Sequence, residues 1–331
     1  MKNIVFFVRH FFERGTEVAI YDYAHFNETI LGNKSYIAYF SDKTQTALGW
    51  YPNVKNSFSK FQARFQMFEL DSINDITKII DEYNIDYFHT LTHGMYEDTY
   101  QFENKNIWKN CKTIKHAVFE PLGPQGDFYC TISNALNIRY NTKVFVFPHM
   151  VYLPDINDDL REQLNIPKDA LVIGRHGGLD SFNIEFVKEA IIEVATSNPN
   201  IYFVFMNTIQ FNYDMPNIKY LPCTVDLQEK TKFINTCDYM IHAQNLGETF
   251  GLCCGEFAIR NKPVITYAKG QNRAHLDMLG DKAILYETKE DLIDIFNNPP
   301  KVDMTFTGYK LYNPNNVIKI FDYILSMTHK N

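Results

Sequence analysis

Twice along this chain, short apolar runs alternate with longer segments of helical spacing, and that repeated alternation restricts the fold more than any other feature. In the first half, residues 3–8 read as a strand, 16–29 as a helix capped by Thr16, and 36–40 as a second strand. Residues 71–83 carry Ile73, Ile76, Ile79 and Ile80 at helical spacing behind the start signal Asp71-Ser72. Further strands are predicted over 86–91, 113–119 and 144–147. A polar stretch then intervenes, with Asp155, Asn157, Asp158, Asp159 and Pro167. After it the pattern restarts: strands over 170–174, 201–206, 239–242 and 264–267, with helices over 184–196, 227–236, 291–296 and 316–327.

The 331 residues suit two domains of roughly 150 residues each. The alternation predicts an α/β protein of two Rossmann-like parallel-sheet domains whose loops face each other across a cleft. The expected boundaries are an N-terminal domain at 1–153, a linker at 154–168, a C-terminal domain at 169–310, and a C-terminal helix at 311–331 that packs back on the first domain.

Charge and cysteine usage narrow the function. A formal net charge of −7, with no basic cluster, argues against nucleic acid as a partner. Cys111, Cys130, Cys223, Cys237, Cys253 and Cys254 show no CxxC pairing and no metal-ligand spacing, which fits reduced thiols in a cytoplasmic setting and predicts no metal. Residues 1–12 are apolar, but Arg9 and His10, then Glu13 and Arg14, interrupt them without a small-residue cleavage site. A buried first strand is the better reading. No run approaches the roughly 20 apolar residues of a membrane span.

In parallel α/β domains, ligands gather where strands end and helices begin, so residues just after strands are the candidates. The most informative stretch is 247–267, GETFGLCCGEFAIRNKPVITY, in which Glu248 and Glu256 stand eight positions apart around Thr249, Phe250, Gly251 and Leu252. A helix beginning near Gly251 offers unpaired N–H groups and a positive dipole end to an anion. Glu248 then precedes the helix, and Glu256 lies about one and a half turns inside it. A ligand with phosphates at the helix tip and hydroxyls on either side would meet a carboxylate at each end. After the first strand of the second half come Arg175 and Gly177, a permanently charged fork and a residue that lets backbone approach a ligand. In the first half, Gly15 at a strand-to-helix junction and the strand-end histidines His93 and His116 are further candidates. Each also has a plain reading: a turn glycine, or a histidine satisfied in the core. Paired carboxylates would also suit a glycosidase, and sequence spacing does not give the distance that decides it.

The stretch from Glu248 to Glu256 resembles the Glu-x7-Glu signature of retaining glycosyltransferases of the GT-B fold, of the glycosyltransferase family 4 type. Ile173-Gly174-Arg175 resembles that family's Gly-Arg, and 220–242 resembles the segment that leads into the signature. Residues 144–153 are similar to the end of its first domain. The resemblance implies transfer of a sugar from a nucleotide-diphosphate donor, UDP- or GDP-linked, to a glycan, lipid or protein acceptor, with retention and without metal or separate cofactor. It implies donor-sugar contacts from Glu248 and His116, with His93 as second candidate for that role or for the acceptor, and a ribose contact from Glu256. Diphosphate would meet Thr249, Phe250, Gly251, Leu252, Arg175, Gly177 and Gly15, and the base would lie along backbone at Pro222 and Cys223. Contact with a membrane surface stays open. The family's Lys a few residues after Gly-Arg is absent from 176–182, so His176 or another basic residue would take its place. A nucleotide-sugar epimerase of the same fold, or an inactive sugar-nucleotide-binding or scaffold protein, are the alternatives.

Overall fold

Runs rich in Ile, Val, Phe and Tyr form the strands of two separate parallel sheets, because such side chains suit a surface covered on both faces. The computed structural model describes residues 1–12, 15–50, 53–212 and 215–328. The chain divides into two units, Met1–Met150 with Tyr312–Asn331, and Val151–Leu311.

The first unit runs β1 (Asn3–Phe7), α1 (Gly15–Thr29), β2 (Lys34–Phe40), α2 (Asp42–Ala47), α3 (Lys55–Gln62), β3 (Gln66–Leu70), α4 (Ile76–Tyr83), β4 (Tyr87–Thr92), α5 (Lys105–Trp108), β5 (Lys112–Ala117), β6 (Phe128–Thr131), α6 (Asn134–Tyr140) and β7 (Phe145–Val146). Its sheet has the order β3-β2-β1-β4-β5-β6-β7, all parallel. Central β4 is buried at every position, as a strand covered on both faces must be. Helix α4 presents Ile76, Ile79 and Ile80 to a core that also holds Val5, Phe7, Phe88 and Trp108.

The second unit runs β8 (Leu171–Arg175), α7 (Glu185–Ser197), β9 (Ile201–Met206), β10 (Ile218–Leu221), α8 (Leu227–Thr236), β11 (Tyr239–His242), β12 (Gly247–Glu248), α9 (Leu252–Ile259), β13 (Val264–Tyr267), β14 (Asn272–Arg273), α10 (Ala274–Leu279), β15 (Ile284–Tyr286) and α11 (Lys289–Asn297). Its main sheet has the order β10-β9-β8-β11-β13-β15, again parallel, and β12 pairs with β14 alone. Residues 156–161 lie on α8: Asn235 Nδ2 donates to the Ile156 carbonyl, and Arg161 donates to Asp238 at 2.9 Å. The last helix, α12 (Pro314–Met327), returns to the first unit, where it packs along α1 and its Leu325 carbonyl accepts from the Tyr87 hydroxyl.

Helix α1 starts one residue earlier than expected, so Thr16 lies inside its first turn rather than capping it, and its hydroxyl donates to Glu17. Glu13 and Arg14 of that junction lie outside the described residues. No helix among the described residues is long and apolar enough to cross a membrane.

Candidate functional site

Strand order reverses beside β1 and β4 in the first sheet and beside β8 and β11 in the second, and in doubly wound sheets such reversals open a crevice at the strand ends. In the second unit, β8 ends in Arg175, followed by His176, and β11 ends in His242. The chain leaving β11 reaches Gly247, whose φ of 72° and close approach to the Asn272 carbonyl leave no room for a Cβ. That approach pairs β12 with β14 and delivers Glu248 beside the sheet end. Gly251 then turns through φ 81° and caps α9, and as a glycine it offers no side chain to the helix's first turn. The turn places uncapped N–H groups immediately after Glu248, an arrangement suited to an anion.

Glu248 and Glu256 have different surroundings. The Glu248 side chain is 25 % exposed, and its Oε1 lies 3.1 Å from His242 Nε2. Glu256 is 5 % exposed; its Oε1 accepts from Lys230 Nζ at 2.9 Å, and its Oε2 lies 2.9 Å from His176 Nε2. Burial pushes the Glu256 carboxyl up, but Lys230 and then His176 beside it more than offset that and hold it at about 2. Burial lowers His176, so Lys230 supplies the balancing charge. Both oxygens of Glu256, for which a ribose contact is expected, face cationic or imidazole groups inside the unit.

Arg175, for which a diphosphate contact is expected, is also enclosed within the unit. Its residue is 3 % exposed, and its fork donates to the Asn207 and Gly178 carbonyls and to the Thr208 and Ser181 hydroxyls at 2.6–2.8 Å. Burial lowers it to about 10, which leaves it protonated at neutral pH. The guanidinium thus ties the loops after β8 and β9 together, and a diphosphate would have to displace one of these partners. Gly177 is half-buried in the same loop, its carbonyl accepting from Asn207 Nδ2. Pro222 and Cys223 follow β10, Pro222 exposed and Cys223 half-buried. Thr249 and Leu252 are half-buried on either side of buried Phe250, whose carbonyl accepts from the Tyr309 hydroxyl at 2.7 Å.

In the first unit the structure separates the two histidines. His93 is exposed at the end of β4 and lines a cavity of about 550 Å³ with Phe7, Arg9, Thr16, Trp50 and Phe119. The loops around it are tied down by buried Lys115, which donates to the Met95 and Gly123 carbonyls and to Gln125 Oε1. His116 is instead fully buried: its Nδ1 lies 3.3 Å from His89 Nε2, and its ring stacks on Phe147 at 5.0 Å. Burial pushes it well below the ordinary imidazole value. His116, for which a sugar contact is expected, is thus enclosed by Tyr23, Phe147 and His89, with its Nε2 buried and without a hydrogen-bond partner. Gly15 is exposed as the first residue of α1, beside cavity-lining Thr16.

Residues that sequence reasoning passed over complete the second site. Lys230 comes from α8, 26 residues before its partner Glu256. Thr266 and His275 extend inward from His242. Polar side chains in otherwise apolar strands, His242 in YMIH and Thr266 in VITY, were the available signal.

No known family profile matches the chain, and no curated protein sequence matches it either. Solved structures do resemble it. A glycosyltransferase from Rickettsia africae ESF-5 superposes with a TM-score of 0.72 at 15 % identity, over 100 % of this chain and 99 % of that one. The Anabaena protein HepE in complex with UDP-glucose gives 0.70 at 14 % identity, over 99 % and 100 %. UDP-GlcNAc 2-epimerase from Neisseria meningitidis, bound to UDP-GlcNAc, gives 0.60 at 12 % identity, over 98 % and 100 %. At these identities the likeness is one of fold. The two parallel-sheet units are Rossmann-like domains of the kind found in GT-B glycosyltransferases.

Proposed function

We propose that this chain is a glycosyltransferase that takes a UDP-linked sugar as donor and moves the sugar, with retention and without a metal, to an acceptor hydroxyl. The observation that carries the reading is the junction of β12 and α9: a half-exposed carboxylate, Glu248, followed within three residues by the uncapped tip of a helix. The tip's N–H groups and dipole stabilise charge that grows on the leaving diphosphate. Glu248 accepts hydrogen bonds from hydroxyls of the donor sugar. Glu256 acts at one remove, holding Lys230 and His176 near the same helix. Lys230 is the basic residue that stands in for the Lys missing after Arg175. The acceptor belongs to the cavity of the first unit, where His93 meets its hydroxyl end. The UDP-containing neighbours support this choice of nucleotide.

The epimerase reading has one supporting observation, the similar fold of the epimerase bound to UDP-GlcNAc. Donor turnover separates the two. Transferase function predicts slow release of free sugar and UDP from one UDP-sugar, lost in Glu248→Ala. Interconversion of UDP-sugar epimers without UDP release would replace it with the epimerase. Binding of UDP with no turnover of any donor would make the chain an inactive module.

A further inference from the structure

Behind Glu248, side chains from three elements form one hydrogen-bonded row. His242 Nε2 lies 3.1 Å from Glu248 Oε1 and His242 Nδ1 lies 2.9 Å from Thr266 Oγ1. Thr266 Oγ1 lies 3.0 Å from His275 Nε2. His242, Thr266 and His275 are all buried, so the row leads from the interior to a half-exposed carboxylate.

Counting protons assigns the row a direction. A carboxylate only accepts, so His242 Nε2 carries a hydrogen. In the neutral ring His242 Nδ1 then accepts, and its neighbour Thr266 has a single hydroxyl hydrogen to give. Thr266 Oγ1 must in turn accept from His275 Nε2–H, which leaves His275 Nδ1 bare. That atom is buried and has no hydrogen-bond partner. A bare lone pair is tolerated in the interior better than an orphaned N–H, so the neutral row fits what surrounds it. Burial also lowers His275 well below the ordinary imidazole value.

The geometry points to His242, Thr266 and His275 as positioning residues that lock one oxygen of Glu248 inward and leave the other as a fixed hydrogen-bond acceptor for the donor sugar. The site therefore selects a donor that offers a hydroxyl or amide N–H at that point, and rejects one that offers a carboxylate there. The inference rests on the reading of Glu248 as a donor-sugar contact.

Thr266 gives the cleanest test, because Val nearly preserves its shape and Ser preserves its hydroxyl. Calorimetric titration of the full chain would compare UDP with UDP-glucose, UDP-galactose and UDP-GlcNAc, using whichever sugar nucleotide binds most tightly. In Thr266→Val the Kd of that sugar nucleotide is expected to rise about tenfold, the loss of roughly one hydrogen bond, while the Kd of UDP stays within about twofold. Thr266→Ser should restore the wild-type value. Equal weakening of UDP and UDP-sugar, or no weakening of either, would overturn the proposal while leaving the donor site standing. Failure of wild type to bind UDP at all would remove the donor site itself, and this proposal with it. A second readout needs no ligand: in protein labelled with 15N-histidine, His242 and His275 should both appear as neutral Nε2–H tautomers, and an Nδ1–H form of His242 would refute the row.

Discussion

Glu256 shows how far a carboxylate's role depends on the few atoms around it. With Lys230 at 2.9 Å and almost no solvent contact, it is a buried ion whose charge has one strong partner. Removing that partner while keeping the carboxylate should cost about 3–5 kcal/mol, since an uncompensated buried charge remains. Lys230→Met is therefore expected to lower the denaturant midpoint of the second unit markedly. A variant within about 1 kcal/mol of wild type would mean that His176 balances the charge alone. The pair also ties stability to acid. The folded carboxyl sits at about 2, below its ordinary value of 4.5, so its contribution is full above 4.5 and fades as pH falls through about 2. Denaturation curves collected between pH 5 and 2 should show that decline in wild type, and less of it in Lys230→Met.

At the level of elements, α9 depends on one backbone conformation. Gly251 takes φ 81°, and a Cβ there would come within 2.9 Å of the Tyr309 hydroxyl and 3.0 Å of His275 Cβ. Gly251→Ala should cost roughly 1–3 kcal/mol from backbone strain, with crowding added to it. Because the helix tip is the proposed diphosphate site, the same change should also abolish stabilisation by UDP in a thermal melt. Retained stabilisation by UDP in a destabilised Gly251→Ala would move the phosphate site away from α9. The elements also show what sequence patterning could and could not predict. Ile201–Met206, Leu227–Thr236, Tyr239–His242 and Val264–Tyr267 form as expected to the residue, since each is a nearly unbroken apolar run or a well-spaced helix. Gln66–Leu70 and Ile218–Leu221 were missed for a physical reason. Each lies at one edge of its sheet, is only partly buried, and so carries mixed polarity.

For the whole molecule, two separate sheets mean two cores, and unfolding need not be a single transition. A nucleotide that binds the native second unit stabilises that unit by mass action, about 2.7 kcal/mol at a free concentration 100 times its Kd. Titration with UDP should therefore raise the melting transition of the second unit, and hydrogen exchange should slow most in residues 242–256. GDP and ADP at the same concentrations serve as comparison. If UDP shifts neither the melt nor the exchange at millimolar concentration, the donor-site assignment fails.

By itself the sequence determined the class of fold, because alternating strand and helix periods have few packed solutions. It also marked Glu248, Gly251 and the α9 start as candidates, since a strand end, a carboxylate and a glycine before a helix can be read locally. Only the tertiary structure decided what each candidate touches. It enclosed His116 in a neutral aromatic layer, closed Arg175 onto its own loops, and set Lys230 against Glu256. It also lined up His242, Thr266 and His275 behind Glu248. The reason is one of distance along the chain: these partners come from different βα crossovers, and no local pattern records which crossover packs against which.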